Sequence, residues 1–301
     1  MRLDEPRHAV SSLRDEVRWA ARTLGAAGVP SPEADALALA AHVLGVSPAE
    51  VRRRMVLAGA APAAQGFAAA FADFVAERGR RVPLQHLTGR AAFRGLELAV
   101  GPGVFVPRPE TELAAGLAIE AAAEAASVGR TAPEVVDLCC GSGAIALSVK
   151  AEVPRASVHG IELSDLALAW AVRNRDHLGL AVDLRLGDAR TAFEDLAGEV
   201  DVVVSNPPYI PVGAVPHDPE VRDHDPEIAL YGGSDDGLAI PFAVATRAAA
   251  LLRSGGVLVM EHADVQGDPL TTALLRWGEW DAVRDHRDLA GLPRAVTARR
   301  R

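Results

Sequence analysis

Four consecutive residues, Asn206, Pro207, Pro208 and Tyr209, combine side chains and backbone groups that suit chemistry on a nitrogen atom. A residue before a proline is driven into extended geometry, and each proline fixes φ and removes an N–H. The carbonyl oxygens of Asn206 and Pro207 therefore lack local donors and form a rigid row of acceptors. With the Asn206 side-chain oxygen, this row can accept both N–H groups of an amide or an exocyclic amine, while Tyr209 lies against the flat group that carries them. Positioning and fixed dipoles then supply much of the rate, so no strong base is required.

A second candidate element is the glycine-rich turn Cys139-Cys140-Gly141-Ser142-Gly143, which follows an apolar strand pattern and precedes a helical one. Glycine lets the backbone approach a ligand closely, and the first turn of a helix offers free N–H groups. Glu162 ends the next predicted strand, 21 residues after Gly141, where a carboxylate accepts hydrogen bonds from ribose hydroxyls. The turn and the acid together predict a site for a cofactor that contains a nucleoside, either a dinucleotide or S-adenosylmethionine.

Two further acids suit S-adenosylmethionine, and one of them, Asp137, favours it over a dinucleotide. The dinucleotide fingerprint ends in glycine or alanine, and Ala146 stands at that place, so the fingerprint alone does not decide. Asp137 ends the first strand, where its charge suits the cationic methionine end of S-adenosylmethionine. Asp188 follows the third strand in Gly187-Asp188-Ala189 and offers a carboxylate to an adenine amino group. Capping a helix is the alternative role for Asp188.

These motifs resemble those of class I S-adenosylmethionine-dependent methyltransferases, and more closely those of the PrmC/HemK family of peptide-chain-release-factor glutamine N5-methyltransferases. The likeness covers nearly the whole chain. The run most specific to the family is Arg108-Pro109-Glu110-Thr111-Glu112. The Asn-Pro-Pro-Tyr run is less specific, because it also occurs in DNA adenine methyltransferases. The helical N-terminal region and the runs 83–89, 226–233 and 288–294 complete the resemblance.

The resemblance implies an α/β fold, the Rossmann-like class I methyltransferase sheet of seven strands with an antiparallel last strand. It implies that Asn206, Pro207, Pro208 and Tyr209 hold the glutamine of the Gly-Gly-Gln motif in class I release factors, whose amide nitrogen receives the methyl group. Flanking glycines would let that thin loop reach a recessed site. The predicted residues that bind S-adenosylmethionine are Asp137, Cys139, Cys140, Gly141, Ser142, Gly143, Glu162, Asp188, Ala189 and Asn206.

The chain departs from the family pattern at three of these positions. The family usually has glycine where Cys139 stands and a small polar residue where Cys140 stands, so Cys139 brings a Cβ into the loop. Ala189 replaces a large apolar residue, which predicts looser packing around adenine. Because no hydrogen-bonding group is lost, we expect activity to survive. No metal site is predicted, since adjacent thiols lack the spacing of zinc ligands and no nearby histidine completes a set.

Residues 1–82 are predicted to form an N-terminal helical domain that docks the substrate. Apolar residues recur there at helical spacing, and the start signals Ser31-Pro32 and Ser47-Pro48-Ala49-Glu50 separate the helices. A further helix is predicted over residues 63–77. Alternating apolar residues bounded by glycines then predict a β-hairpin linker over residues 83–107.

Residues 108–301 are predicted to form the methyltransferase domain. Short apolar stretches alternate there with helical ones, which is typical of a parallel sheet covered by helices on both faces. The final strand-like runs, 280–288 and 294–298, are separated by only five residues, too few for a helical crossover, so this pair should be antiparallel. The preceding strands are expected at 135–140, 156–163, 182–186, 200–204 and 256–260.

The charge balance argues against a nucleic-acid substrate. The chain carries a net charge of −9, with +3 in residues 1–90 and −12 in residues 91–301, which disfavours binding to phosphates. The run Arg52-Arg53-Arg54 is either a solvated helix face or a surface that contacts ribosomal RNA or an acidic partner. The stretch 217–225 is predicted to be a mobile, solvated loop, and metal binding is the disfavoured alternative.

The composition suits a globular protein that works in a reducing cytoplasm. No apolar run has the length of a membrane span, no apolar signal segment is expected at the N-terminus, and the two cysteines are adjacent. The expected partner is a class I release factor as protein substrate, without a membrane, and a monomer is the default state. Two rival interpretations stay open: an N-methyltransferase that acts on the exocyclic amine of adenine or guanine in a nucleic acid, and a protein that binds the cofactor without catalysis.

Overall fold

The computed structural model describes residues 11–57 and 66–301 of the chain. The chain divides into two units. The first comprises Met1–Gly89 together with His217–His224, and its regular elements are helices. The second comprises Arg90–Pro216 together with Asp225–Arg301 and carries the strands.

The first unit is a set of short helices packed around an apolar core. Ser12 caps the first helix, because its hydroxyl accepts from the amide of Asp15, while the Asp15 carboxylate accepts from the amide of Ser12. Gly45, in the left-handed region at φ 63°, ends the second helix. The core is built from fully buried side chains such as Leu24, Leu39 and Phe71. The helices are α1 (Leu13–Ala26), α2 (Pro32–Leu44), α3 (Pro48–Leu57), α4 (Phe67–Gly79) and α5 (Leu84–Thr88).

The helix predicted over residues 63–77 corresponds to α4, with a different start. Residues 63–65 of that prediction lie outside the described residues. Gly66 has a φ of 80° and stands before the first helical residue, so the interpretation that placed Gly66 inside the helix is wrong. Glycine is favoured there because it reaches positive φ without strain.

The second unit is an α/β domain. After a small antiparallel hairpin, strands alternate with helices up to a final antiparallel pair. In chain order its elements are β1 (Arg90–Phe93), β2 (Leu96–Ala99), α6 (Thr111–Ser127), β3 (Glu134–Leu138), α7 (Ala144–Glu152), β4 (Ser157–Glu162), α8 (Asp165–Leu178), β5 (Val182–Leu186), β6 (Val200–Ser205), and then, beyond α9 (Pro219–His224) of the first unit, α10 (Ala239–Leu251), β7 (Leu252–Glu261), α11 (Gly267–Trp277), β8 (Trp280–Arg287) and β9 (Pro293–Arg300).

The main sheet has seven strands in the order β5-β4-β3-β6-β7-β9-β8. Strands β3 to β7 run parallel, and the last strand, β9, runs antiparallel to both of its neighbours. The expected class I methyltransferase sheet with an antiparallel last strand is therefore confirmed. The antiparallel direction of β9 follows from the short connection between β8 and β9, which returns the chain without a helical crossover.

Helices cover both faces of the sheet. Successive side chains of a strand point to opposite faces, so Val135 packs in the same cluster as Leu147 of α7, while Val136 packs with Val244 of α10. Both valines are fully buried. Because neither face meets water, the central strands β3 and β6 are mostly apolar and show no regular alternation of apolar and polar residues.

The stretch 217–225 differs from its predicted form as a solvated loop. It contains α9, and the Glu220 carboxylate accepts hydrogen bonds from Arg78 at 2.6 Å and from Arg81 at 2.6 and 2.8 Å. Arg78 also donates to Asp35 at 2.7 Å, and its side chain is only 7% exposed. The prediction was wrong because the guanidinium groups that pair with Glu220 lie far away in the sequence.

Within residues 11–57 and 66–301, no single helix has both the length and the apolar composition of a membrane span. The helices α2 and α3, which are bent by 91° with respect to each other, together have the length and apolar composition of a span, but only by these two criteria.

Candidate active site

The predicted functional residues gather where neighbouring parallel strands end. In the sheet Leu138 of β3 lies between Ile161 of β4 and Ser205 of β6. Cys139 and Asn206 therefore emerge at the same carboxyl edge of the sheet. The strand order also reverses between β3 and β6, and ligands of open α/β sheets bind in the crevice at such a switch point.

The loop after β3 has the backbone conformation of a ligand cradle. Gly141 and Gly143 have φ values of 55° and 81°, and the amide of Gly143 donates to the carbonyl of Cys140 at 2.8 Å to close the turn. A Cβ on Gly141 would meet nothing within 4 Å, so this stretch of backbone faces open space. Ser142, by contrast, is buried. An open backbone beside the start of α7 fits the close approach of a cofactor.

Cys139 occupies this loop in the left-handed region, at a φ of 70°. Residues other than glycine adopt that region at a cost in energy, which is consistent with the glycine that the family pattern places there. Burial is the largest of the effects that raise the pKa of both the Cys139 and the Cys140 thiol. The thiols therefore stay neutral and serve as packing groups.

Glu162 holds the loop from the neighbouring strand. Its Oε2 accepts a hydrogen bond from the amide of Gly141 at 2.8 Å, and its Oε1 accepts from the amide of Ser164 at 2.9 Å. Each carboxylate oxygen can accept more than one hydrogen bond, so both can also receive ribose hydroxyls. This geometry fits the role predicted for Glu162.

Asp137 lies behind the loop and is completely buried. Its Oδ2 accepts from the amide of Ala146 at 3.1 Å, which ties β3 to the first turn of α7. Its Oδ1 has no hydrogen-bond partner within the part of the chain that is described. Burial raises the pKa of Asp137 to about 7, against the lowering effect of the Ala146 amide, and the charge of Glu162 raises it further. A buried acceptor without a donor fits a cationic group of a cofactor at this place.

Asp188 and Ala189 follow β5. The Asp188 carboxylate accepts from the amide of Arg190 at 2.8 Å and pairs with its guanidinium at 2.5 Å, which lowers the pKa of Asp188. No helix begins at Asp188, so the alternative role as a helix cap is wrong, and its carboxylate caps a turn. Ala189 is buried at 8% exposure.

Asn206 follows β6 directly. Its Nδ2 donates to the hydroxyl of Thr111 at 3.2 Å, which leaves Oδ1 as the side-chain acceptor. Pro207 is buried and Pro208 is partly buried, and the Ser205 hydroxyl anchors the end of the strand by donating to the Leu138 carbonyl. Pro207 and Pro208 have no backbone N–H, so neither can donate a backbone hydrogen bond to a neighbouring carbonyl group.

Tyr209 is held at both ends. Its phenol donates to Oε1 of Glu261 at 3.3 Å, and its carbonyl accepts from Nε2 of Gln266 at 2.9 Å. Burial, followed by the charge of Glu261, raises the pKa of the phenol, so it stays protonated. Glu261 is 2% exposed and lies at the end of β7.

The run 226–233 from the resemblance frames this segment. The amide of Ile210 donates to Leu230 at 2.8 Å, and the amide of Gly232 donates back to Ile210 at 2.9 Å. Gly237 approaches so closely that a Cβ there would lie 2.1 Å from the Tyr209 carbonyl oxygen. The glycines of this stretch therefore allow two backbone segments to pack against each other.

Sequence reasoning missed several residues that surround Tyr209. Thr111 stands in the family-specific run but received no role, and Glu261, Gln266 and Arg294 were not singled out. The position of Glu261 offers a usable signal, because it directly follows the strand predicted at 256–260, at the same edge as Glu162 and Asn206. Across residues 11–57 and 66–301, no group of three histidines, cysteines or acids could hold a metal ion.

Comparison with known proteins places these features among methyltransferases. Residues 16–89 match the family model described as PrmC N-terminal domain, and residues 95–217 match the one described as methyltransferase small domain. The chain is 51% identical over 289 residues to the release factor glutamine methyltransferase of Streptomyces coelicolor, with 96% of this chain and 98% of that protein covered.

Two further relatives are similar over most of their length. The release factor glutamine methyltransferase of Bifidobacterium longum is 43% identical over 296 residues, which cover 95% of this chain and 99% of that protein. The 4-amino-L-phenylalanine/4-methylamino-L-phenylalanine methyltransferase of Streptomyces pristinaespiralis is 40% identical over 274 residues, which cover 90% of each.

Proposed function

The chain belongs to the family of release factor glutamine methyltransferases, and we propose that it methylates the side-chain amide nitrogen of the glutamine in the Gly-Gly-Gln motif of class I release factors. The observation that carries this proposal is the orientation of Asn206. Because its Nδ2 donates to Thr111, its Oδ1 is left to accept from a substrate N–H group. The next acceptor in the chain is the Pro207 carbonyl.

The enzyme uses S-adenosylmethionine, which supplies an electrophilic methyl group when it is bound. The residues present fit this cofactor, as the open backbone at Gly141 and the unpartnered Oδ1 of Asp137 indicate. We assign the ribose to Glu162 and the adenine to Asp188 and Ala189. The loop Cys139-Cys140-Gly141-Ser142-Gly143 and Asn206 complete the proposed site.

The chain's own residues position the acceptor nitrogen. A primary amide has two N–H donors, and Oδ1 of Asn206 and the carbonyl of Pro207 accept one each, while Tyr209 lies against the amide plane. An amide nitrogen is a weak nucleophile because its lone pair is delocalised, so orientation and fixed dipoles contribute most of the acceleration. As the nitrogen forms its new bond its proton becomes acidic, so no strong base at the nitrogen is needed.

The helical domain is the proposed docking surface for the release factor. Residues 1–90 carry +3 while residues 91–301 carry −12, so the docking face would meet an acidic region of the partner. In α3, Arg53 and Arg54 are 62% and 44% exposed, and both pair with Glu50 of the same helix. Translation takes place in the cytoplasm, which is the proposed location, and the proposed active form is a monomer.

The test is methyl transfer from labelled S-adenosylmethionine to a purified class I release factor. We expect label on the wild-type release factor and none on its variant with alanine in place of the Gly-Gly-Gln glutamine. DNA and 4-amino-L-phenylalanine serve as competing acceptors, since a nucleic-acid enzyme would label the first and an arylamine enzyme the second. Label on either of these, or equal label on the alanine variant, would contradict the proposal.

Asn206→Ala separates catalysis from cofactor binding. The variant loses the acceptor for one substrate N–H group, so we expect transfer to be abolished while the affinity for S-adenosylmethionine stays within about tenfold. Calorimetry measures that affinity, and thermal melting confirms that the variant folds. A wild-type protein that binds the cofactor and labels no release factor would favour the non-catalytic interpretation.

A further inference from the structure

The side chain of Asn174 joins two segments that lie far apart in the sequence. It stands in α8 and is only 1% exposed. Its Oδ1 accepts from the amide of Ala99 at 2.7 Å, while its Nδ2 donates to the carbonyl of Ala99 and to the carbonyl of Ser142, both at 3.0 Å. Ala99 ends β2, and Ser142 belongs to the loop of residues 139–143, called the cofactor loop below. One buried amide group thus connects the hairpin to the candidate cofactor site.

The two bonds to Ala99 fix which way the Asn174 amide faces. An amide side chain has one oxygen, which accepts, and one NH2 group, which donates two hydrogen bonds. The N–H of Ala99 requires the oxygen on its side, and the carbonyl of Ala99 takes one hydrogen of Nδ2. The second hydrogen is then directed at Ser142. Turning the group by 180° would bring its oxygen against carbonyl oxygens, so backbone groups determine the orientation.

Ala99 is a firm point of attachment because the segment that follows it packs closely against α8. Nε1 of Trp170 donates to the carbonyl of Pro102 at 3.3 Å. A Cβ on Gly101 would lie only 2.6 Å from Cζ2 of Trp170, so glycine is needed for this close approach. Trp170 and Asn174 are four residues apart and therefore lie on the same face of the helix. The segment and α8 thus form one packed support for the Asn174 amide.

The cofactor loop is held at two consecutive residues. The amide of Gly141 donates to Glu162 at 2.8 Å, and the carbonyl of Ser142 accepts from Asn174 at 3.0 Å. Glu162 is assigned to the ribose and would touch the cofactor, whereas the buried Asn174 acts through the loop. A ligand that approaches the open backbone at Gly141 needs the loop in this conformation, and both contacts prepare it in advance.

We propose that Asn174 is a positioning residue for S-adenosylmethionine, because it holds the carbonyl of Ser142 and with it the conformation of the cofactor loop. The inference rests on the proposed function, since it assigns Asn174 a part in the same cofactor site. Without the Nδ2 donor, the buried Ser142 loses this hydrogen bond, and the loop has to become ordered when the cofactor binds. That ordering lowers the affinity for the cofactor.

The test measures the dissociation constant of S-adenosylmethionine by calorimetry for Asn174→Ala and Asn174→Asp. Alanine removes all three hydrogen bonds, so we expect the constant to rise by about 10- to 100-fold. Aspartate has nearly the shape of asparagine and keeps an acceptor for the Ala99 amide, but its second oxygen would face two carbonyl oxygens. We therefore expect Asn174→Asp to bind the cofactor no better than Asn174→Ala. If only the shape of the side chain mattered, the aspartate variant would bind nearly as well as wild type.

Asp201→Ala is the matched control. Asp201 is 2% exposed, and its Oδ2 accepts from the amide of Glu134 at 2.9 Å, so it holds the start of β3 as Asn174 holds the loop after the end of that strand. We expect both alanine variants to melt at a lower temperature than wild type. The dissociation constant of Asp201→Ala should stay within about threefold of wild type, because the two sites are independent. Equal losses of affinity in the two variants would trace the effect to lowered stability and overturn the inference.

A dissociation constant for Asn174→Ala close to that of wild type would overturn the inference, and so would an aspartate variant that binds much more tightly than the alanine variant. If neither variant folds, hydrogen exchange of the wild-type protein decides. Saturation with cofactor should slow the exchange of the Asn174 Nδ2 hydrogens about tenfold more than that of the Gln266 Nε2 hydrogens, which also donate to two carbonyl groups. Equal slowing of the two side chains would overturn the inference.

The two proposals fail in different ways, because cofactor binding is measured without the release factor. A wild-type protein that binds S-adenosylmethionine and labels no release factor contradicts the proposed function, while the binding constants of the Asn174 variants still decide the inference. An active wild type whose Asn174 variants bind the cofactor normally overturns the inference alone.

Discussion

The amide of Gly141 donates a hydrogen bond of 2.8 Å to Oε2 of Glu162, so the acid assigned to the ribose also holds the loop assigned to the rest of the cofactor. Gly141 lies in the loop after β3 and Glu162 ends the neighbouring strand β4, so their contact ties these two strand ends together beside the switch point between β3 and β6. Because a second amide, that of Ser164, donates to the other oxygen, the carboxylate is oriented before any ligand arrives. The cofactor then meets a site that needs little rearrangement.

Glu162→Ala should weaken the binding of S-adenosylmethionine by about 100-fold, because it removes both the ribose acceptor and the anchor of the loop. A hydrogen bond to a charged group contributes about 1.5–3 kcal/mol, and each 1.4 kcal/mol is a factor of ten. Calorimetric titration measures the dissociation constant. Glu97→Ala, which breaks an exposed ion pair with Arg90, is the control and should leave that constant unchanged. An unaltered affinity in Glu162→Ala would contradict the assignment of the ribose.

The main sheet and the two motifs at its carboxyl edge could be predicted from the sequence because their signals are local. Buried parallel strands are mostly apolar, and the loop that contains Gly141 and the segment that begins at Asn206 each follow such a strand. The antiparallel last strand could be predicted because the connection before it is too short for a crossover. Each inference needed only neighbouring residues and one rule of geometry.

What could not be predicted depends on contacts between residues far apart in the sequence. Thr111 lies 95 residues before Asn206, and Glu261 lies 52 residues after Tyr209, so no spacing indicates that either pair meets. The buried ion pair between Glu220 and Arg78 was missed for the same reason. The charged residues that surround Glu220 in the sequence had indicated a solvent-exposed loop instead. Tertiary packing decides which polar residues become partners, and a linear pattern does not report it.

Gly237→Ala should lower kcat by about 100-fold, because a Cβ would lie 2.1 Å from the Tyr209 carbonyl oxygen and 2.9 Å from the nitrogen of Pro211. Backbone atoms cannot turn aside as a flexible side chain can, so the segment that carries Tyr209 has to move. A displacement of about 1 Å at a reacting group costs roughly 100-fold in rate. Steady-state methyl transfer to the release factor measures the loss.

Gly213→Ala is the control for Gly237→Ala. Gly213 also has a positive φ, 84° against 73° for Gly237, but a Cβ there would meet nothing within 4 Å. Both variants therefore carry the same backbone strain, and only one carries the clash. We expect kcat of Gly213→Ala to remain within about threefold of wild type, and equal losses in the two variants would exclude the clash as the cause.

Cys139→Val should be less thermally stable than Cys139→Gly. Cys139 has a φ of 70°, which glycine adopts freely and which a β-branched side chain strongly disfavours. Relative to glycine, we expect valine to lower the free energy of unfolding by about 1–2 kcal/mol or more. Calorimetric melting without ligand measures the difference, and the affinity of Cys139→Gly for S-adenosylmethionine should stay within about threefold of wild type. Equal melting of the two variants would contradict the left-handed conformation.

Reversal of Arg52, Arg53 and Arg54 to glutamate should raise the KM for release factor by about tenfold and leave kcat unchanged, if α3 docks an acidic face. Exposed charges steer association and are screened by salt. The wild-type KM should therefore rise with ionic strength, while that of the variant should not. A KM that the reversal leaves unchanged would remove α3 from the docking surface.

Glu220→Gln should destabilise the helical unit at neutral pH and have no effect in strong acid. Although burial raises the pKa of Glu220, hydrogen bonds from Arg81 and Arg78 lower it to about 2. A carboxyl group whose pKa falls on folding stabilises the native state above its unfolded pKa, about 4.3, and this contribution disappears as the pH falls from there to about 2. At pH 7 we expect a loss of about 1–3 kcal/mol, because the buried Arg78 then faces a neutral amide. Urea unfolding of wild type and variant at pH 7 and at pH 3 measures the difference in the free energy of unfolding, which should shrink at the lower pH.

Glu50→Gln is the matched control for Glu220→Gln. Glu50 also pairs with two arginines, Arg53 and Arg54, but on an exposed helix face, where ion pairs contribute little. A loss in Glu220→Gln no larger than that in Glu50→Gln would show that the pairs of Glu220 do not stabilise this unit.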